Sequence, residues 1–287
     1  MAGELITGDG QVEFGGLLLG RGTEYKLHEV DGWDDLPGID QGSADRPNRH
    51  GSWPGEPLTA GRVVTAQGSV RSGDAATALD ALRSATRVRS DANVTPLVVR
   101  TPGGRTHLAW GKIDQRVIPT RPAQAGGYVK WALQWLCDDP RRYSLDQHIV
   151  SIPPPATGSG LVWPLTWPLD WGTPVVPGSA AILNAGDAPA HPVLTIPGPL
   201  EGPLITNTTT GTLLEFDITL GVGEQLVIDC DAGTVTLGGA DRLNTLTDVS
   251  VPVEAFVIES GFNAIVFNAF NFSGLSPLVV TYRDAYL

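Results

Sequence analysis

The stretch Gly32-Trp33-Asp34-Asp35-Leu36-Pro37-Gly38-Ile39-Asp40, continued by Ser43-Ala44-Asp45-Arg46-Pro47-Asn48-Arg49-His50 and closed by Gly51-Ser52-Trp53-Pro54-Gly55, decides how this chain is read. Proline and glycine interrupt every turn a helix would need here. No alternation supports a strand. Structureless loops of this length are uncommon inside compact domains and are usually functional. This one also carries two tryptophans and a cluster of charges. The flanking segments, Thr23 to Val30 and Gly61 to Val70, alternate as strands should. The order is therefore strand, long polar loop, strand, followed by one short helix.

That helix spans 72–88. Asp74 suits a cap or first-turn anion. Ala75, Ala78, Leu79, Leu82 and Ala85 form a narrow apolar stripe. Arg83, Arg87 and Arg89 gather near its C-terminal end, where the helix dipole favours cations. Dipole complement and solvation are preferred over a nucleic-acid-binding helix. Strands follow at Pro96 to Arg100, Thr106 to Val117 and Tyr128 to Cys137. In the last, Val129, Trp131, Leu133, Trp135 and Cys137 share one face and read as core.

A chain of 287 residues suggests about two domains. Its 35 glycines, 23 prolines and low charged fraction of 17% favour many short strands. Residues 151–178 read as a linker, rich in proline and bearing Trp163, Trp167 and Trp171. Pro164 and Pro168 exclude a regular helix there. An extended strap with packed Trp rings is favoured over a sugar-stacking platform. Residues 179–287 read as an all-β sandwich, with strand candidates at short intervals that include Val253 to Ile258. Charge divides unevenly: residues 1–150 carry a net −1 and residues 151–287 a net −11, and the second part contains no lysine. Such a domain repels nucleic acid and anionic membranes.

The order of these pieces resembles the distal tail proteins of long-tailed, non-contractile bacteriophages. The resemblance rests on Tyr25 to Val30, Gly32-Trp33 through Asp40, Arg49-His50-Gly51, Val63 to Val70 and Tyr128 to Cys137 followed by Asp138-Asp139-Pro140-Arg141. It continues through Asn184 to Pro192 and the hairpin Leu226 to Asp229 with Gly233 to Val235. It implies a mainly β fold. Residues 1–150 would be a tail-tube-like, ring-forming β-sandwich with one helix, and residues 179–287 a peripheral galectin-like or jelly-roll β-sandwich. It also implies a structural virion protein, made in the host bacterial cytoplasm and carried at the tail tip. A hexameric ring would join the tail tube to the tail-tip hub, with the tape measure protein nearby and DNA only passing through. On this reading Trp33, Asp34, Asp35, Ile39, Arg46, Arg49 and Trp53 are interface candidates, with Asp34 and Asp35 candidates to line a neutral or acidic lumen. The alternative is a minor tail protein that recognises carbohydrate on the host surface.

Catalytic signatures are absent from the sequence. It contains no Gly-x-Ser-x-Gly, no complete Gly-x-Gly-x-x-Gly and no Gly-Lys-Ser/Thr. The five histidines never fall at ligand spacing. Asp229-Cys230-Asp231-Ala232-Gly233 could begin a calcium loop but lacks the later ligands, so a tight hairpin is preferred. Asp31, Asp34, Asp35 and Asp40 could supply a carboxylate pair for glycoside hydrolysis, yet no supporting constellation surrounds them. The two cysteines, Cys137 and Cys230, read as buried free thiols. No enzyme activity, cofactor or membrane span is expected, and no basic, apolar leader opens the chain.

Overall fold

The computed structural model describes residues 2–88, 94–119, 128–154, 167–168, 178–272 and 277–287. The chain divides into two compact units, Met1–Leu145 with Leu287, and Asp146–Tyr286. The expected break after residue 150 falls inside the strand His148–Ile152, which is held by the second unit through its pairing with Leu278–Tyr282.

In the first unit the strands are β1 (Gln11–Phe14), β2 (Leu17–Gly20), β3 (Tyr25–Asp31), the two-residue strands β4 (Ile39–Asp40), β5 (Ala44–Asp45), β6 (Ser52–Trp53) and β7 (Leu58–Thr59), then β8 (Arg62–Arg71). Helix α1 (Ala75–Ala85) follows, with β9 (Thr95–Arg100), β10 (Thr106–Val117), β11 (Tyr128–Cys137) and β12 (Arg142–Ser144). The main path runs β2-β1-β9-β10-β11-β8-β3, antiparallel throughout, with β12 beside β10. Strand β10 serves both halves of this path. Its first six residues pair with β9 and the rest with β11, and the β11 ladder shifts register between Ile113 and Gln115. An inserted residue bends and twists a strand, so one long strand can turn the corner from one face of the core to the other.

The alternation read in β11 is realised: Val129, Trp131, Leu133, Trp135 and Cys137 are all buried. They join Val12, Phe14, Leu19, Val64, Leu97 and Val99 in one cluster. Phe14 meets Trp135 edge to face at 5.6 Å. Trp131 lies over Gly68, where a β-carbon would come within 2.3 Å of the indole. Glycine is thus required on β8 to admit the ring.

Helix α1 starts at Asp74, whose carboxylate accepts from Thr77 N at 3.1 Å. It buries Ala78, Leu79 and Leu82, and the Tyr25 hydroxyl donates to the Ala78 carbonyl at 2.8 Å. Its C-terminal carbonyls find a partner the sequence did not suggest. Arg116 of β10 donates to Arg83 O at 3.0 Å and Thr86 O at 3.2 Å, a cation where the dipole is negative. Arg83 itself pairs with Asp80 at 2.7 Å. Arg89 lies outside the described residues.

The second unit comprises β13 (His148–Ile152), β14 (Gly178–Asn184), β15 (Val193–Pro197), β16 (Leu200–Asn207), β17 (Thr212–Glu215), β18 (Thr219–Leu220), β19 (Gln225–Asp229), β20 (Thr234–Leu237), β21 (Ala240–Asp241), β22 (Gly261–Phe272), β23 (Leu278–Tyr282) and β24 (Ala285–Tyr286). Two antiparallel sheets form, β13-β23-β15-β19-β20-β21 and β14-β22-β16-β17, with β18 on β16. Buried asparagines tie the connecting loops. Asn184 donates to Ala188 O and Ile258 O, and Asn207 to Val257 O and Asn263 Oδ1. The expected strand Val253 to Ile258 is instead a 3-10 turn at Val253–Ala255. Ala255 N and Phe256 N donate back to Pro252 O and Val253 O. Val253, Phe256 and Ile258 are still buried, so the apolar run reports burial without a ladder.

Candidate functional site

The long loop is a projecting β-arm. The expectation that no strand survives there is corrected: β4 pairs with β7, and β5 with β6, as two short antiparallel rungs. Between the rungs Gly42 and Gly55 cross closely, for a β-carbon on Gly55 would stand 2.3 Å from Gly42 O. Proline and glycine at this density prevent a continuous ladder, which is why alternation could not be read. Two-residue rungs bury little, and the arm stays exposed along its length, with Leu36, Ile39, Trp53 and Leu58 all uncovered.

The arm's root is the opposite. Gly32 adopts a φ of 79°, and a β-carbon there would lie 2.0 Å from Val63 O, so the chain turns out of β3 only through glycine. Trp33 is 2% exposed and belongs to the core cluster. It is therefore a buried wedge at the root, and its expected role as a surface anchor is corrected: an indole already enclosed by its own unit offers no face to a partner. Arg62, at the start of β8, is 1% exposed. Its Nη1 donates to the carbonyls of Gly32 (3.0 Å), Trp33 (2.8 Å) and Asp35 (2.7 Å), and its Nε to Pro140 O (2.8 Å). Desolvation lowers the Arg62 pKa, opposed in part by Asp34 and Asp35. The fork gathers the turn after β3 and the end of β11 onto one buried cation.

Asp34 and Asp35 divide the remaining work. Asp35 accepts from Gly32 N at 3.0 Å, and Asp34 pairs with Arg142 at 2.5 Å. The Asp34 side chain is largely exposed, so screening leaves this pair modest in energy. At the tip, Arg46 lies over the Trp53 ring, 4.5 Å from its centroid. Ile39 and Arg49 are exposed. Thus Ile39, Arg46, Arg49 and Trp53 share the arm, while Trp33, Asp34 and Asp35 secure its root. Arg62 was missed by sequence reasoning; its only signal was an arginine opening the strand just after the loop.

The linker tryptophans Trp163 and Trp171 lie outside the described residues, and Trp167 is 86% exposed. The Asp229 segment is a hairpin between β19 and β20, with Asp229 Oδ1 accepting from Asp231 N and Ala232 N. Among the described residues no group of three or more metal-ligating side chains comes together, and no helix is long and apolar enough to cross a membrane.

Residues 185–286 match the family described as "Siphovirus-type tail component, C-terminal domain". That match covers most of the second unit and about a third of the chain. Across the whole chain the fold is similar to that of the SPP1 Dit (gp 19.1) protein, described as a paradigm of the hub adsorption apparatus in Gram-positive infecting phages. The TM-score is 0.65 at 13% identity, covering 96% of this chain and 99% of that one. A chain of the phage P2 baseplate in its activated conformation with Ca aligns at a TM-score of 0.49 and 10% identity, over 90% of each chain. No curated protein sequence matches. The resemblance to siphophage distal tail proteins therefore holds, and this mainly β tail component is a virion-associated protein.

Proposed function

We propose that this siphovirus-type tail component forms a ring of six subunits that joins the tail tube to the tail-tip hub and lets DNA pass. The first unit would be the tail-tube-like ring former and the second a peripheral galectin-like sandwich. The observation that carries the reading is the exposed arm on a rigidly clamped root, in a chain whose second unit carries the family's C-terminal domain. An arm that buries little of itself is built to be buried by another surface. Its partners would be neighbouring copies of the chain, the tube protein, the hub protein and the tape measure protein.

Negative-stain images and mass photometry of the full chain, alone and with tube protein, test this. Closed rings in either setting support it, and monomers alone in both overturn it. A conduit must also release its cargo. The lumen should therefore be neutral to acidic, and duplex DNA should bind the assembled protein no better than a neutral control at physiological salt.

A second reading, carbohydrate recognition at the host surface, is favoured by Phe262 and Phe270, which stand 72% and 87% exposed on β22. Retention of the full chain on a glycan array, lost in Phe262→Ser with Phe270→Ser, would support it.

A further inference from the structure

Two surfaces of the first unit are left open by its fold. One is the β4–β7 rung of the arm, where Leu36, Ile39 and Leu58 are 64%, 44% and 65% exposed and the charges of the flanking sequence, Asp34, Asp35, Asp40 and Glu56, are acidic. The other is a groove of about 640 Å³ at the C-terminal end of α1. One wall is the β1–β2 turn, held against the helix because Gly15, at a φ of 58°, brings its α-carbon so near Ala85 that a β-carbon would stand 2.4 Å from the Ala85 carbonyl. Its lining is mixed: Leu17, Ala81 and Ile113 supply apolar side chains beside Ser84 and Thr95, and Val88 stands 84% exposed. The rim carries Arg87, Lys112 and Asp138, of which Lys112 and Asp138 pair with each other at 2.9 Å. Arg87 is thus the rim charge left for a partner, and its sign is opposite to the rung's.

We propose that this groove is the socket for the β4–β7 rung of the arm of a second copy of this chain. The inference rests on the ring reading and adds which surfaces meet. Each copy offers one apolar, acidic rung and one groove of mixed lining with Arg87 at its rim, on separate parts of the same unit. Contacts between two different patches are heterologous. They pass from copy to copy in one direction and close into a ring when the rotation allows. Leu36, Ile39 and Leu58 would enter the groove, and Asp40 and Glu56 would meet Arg87. Rim charges of this kind act on encounter and register and weaken with salt.

The test uses two single variants of the full chain, Leu58→Cys and Ser84→Cys. Ser84 lines the groove, and the native Cys137 and Cys230 are buried and silent. The two proteins are mixed, with and without tube protein, and treated with a short bis-maleimide. A covalent dimer containing one of each variant, absent when Leu58→Cys is treated alone, is the expected result. Adding Arg87→Glu to the groove partner should lower its yield about tenfold at low salt. If the mixed dimer is missing while rings are seen in the same samples, the socket is overturned and the ring reading stands. If both are missing, both readings fall. A cross-link from Leu58→Cys to tube protein in place of the second copy also overturns the socket.

Discussion

Arg62 holds Trp33 by its backbone: Nη1 of the arginine donates to the Trp33 carbonyl at 2.8 Å, and both side chains are buried. The same nitrogen reaches Gly32 and Asp35, so three carbonyl acceptors of one turn converge on a single guanidinium. Lysine carries a single nitrogen and cannot hold these carbonyls and Pro140 O together, as Nη1 and Nε of Arg62 do. Arg62→Lys and Arg62→Ala should each cost about 2–4 kcal/mol, because buried carbonyls lose their partner. Urea unfolding of the full chain, followed by tryptophan fluorescence, measures this; an unchanged midpoint for the first unit would show that the fork contributes nothing.

The two arm tryptophans should separate cleanly. Trp33→Ala leaves a cavity in the core and should cost about 3–5 kcal/mol. Trp53→Ala removes a side chain that is 60% exposed, so the melting temperature should hardly move while ring formation weakens. Thermal unfolding and mass photometry on both variants distinguish a core role from a contact role. Equal losses of stability would contradict the assignment.

Asp74 gives helix α1 an acid-sensitive start. Hydrogen bonds from the Thr77 hydroxyl and backbone lower its pKa from the ordinary 3.8. A carboxylate whose folded pKa is depressed stabilises above the unfolded value and loses that contribution as pH falls through the folded one. Helicity near α1 should therefore decline below about pH 4 in the native chain. Asp74→Asn keeps a cap and removes the titration. Amide exchange at Thr77 and Ala78, compared between the two proteins across this range, provides the reading.

The cysteines should be unreactive until the chain unfolds. Burial pushes the Cys137 thiol up to about 12 and raises Cys230 further from its ordinary value. A thiol whose pKa is raised by folding stabilises below the unfolded value and opposes folding as pH climbs beyond it. At pH 8, a thiol reagent should label neither residue in the native chain and both in denaturant. Fast native labelling at either would mean that its strand opens readily.

Much of this architecture was legible, and the reasons are local. Strand β11 could be read because Val129 through Cys137 alternate without interruption and one face is buried. Helix α1 could be read because Asp74 and the stripe Ala78, Leu79 and Leu82 supply both a start and a period. The arm could be singled out as a long, charged loop but not drawn. Rungs of two residues hold too few positions for any period to show, and their register depends on Gly42 passing Gly55. Trp33 was misjudged because its neighbours are polar; only the turn imposed by Gly32 directs the indole inward. The turn at Val253–Ala255 was taken for a strand because its apolar residues are spaced for burial, and burial alone does not choose between ladder and turn.

The cation-poor second unit has a practical corollary for anyone mapping this tail component. Beyond Arg142 the chain offers trypsin only Arg242 and Arg283, and it offers amine-reactive cross-linkers no lysine after Lys130. A tryptic map will therefore be dense over the first unit and will return the next hundred residues as one large fragment, 143–242. Lysine-based cross-linking of whole tails will register neighbours of the first unit and stay blind to those of the second. The fourteen carboxylates between Asp146 and Asp284 are the handles that remain. Carbodiimide coupling with dihydrazides, read after Glu-C digestion, is the chemistry by which the contacts of the second unit can be seen.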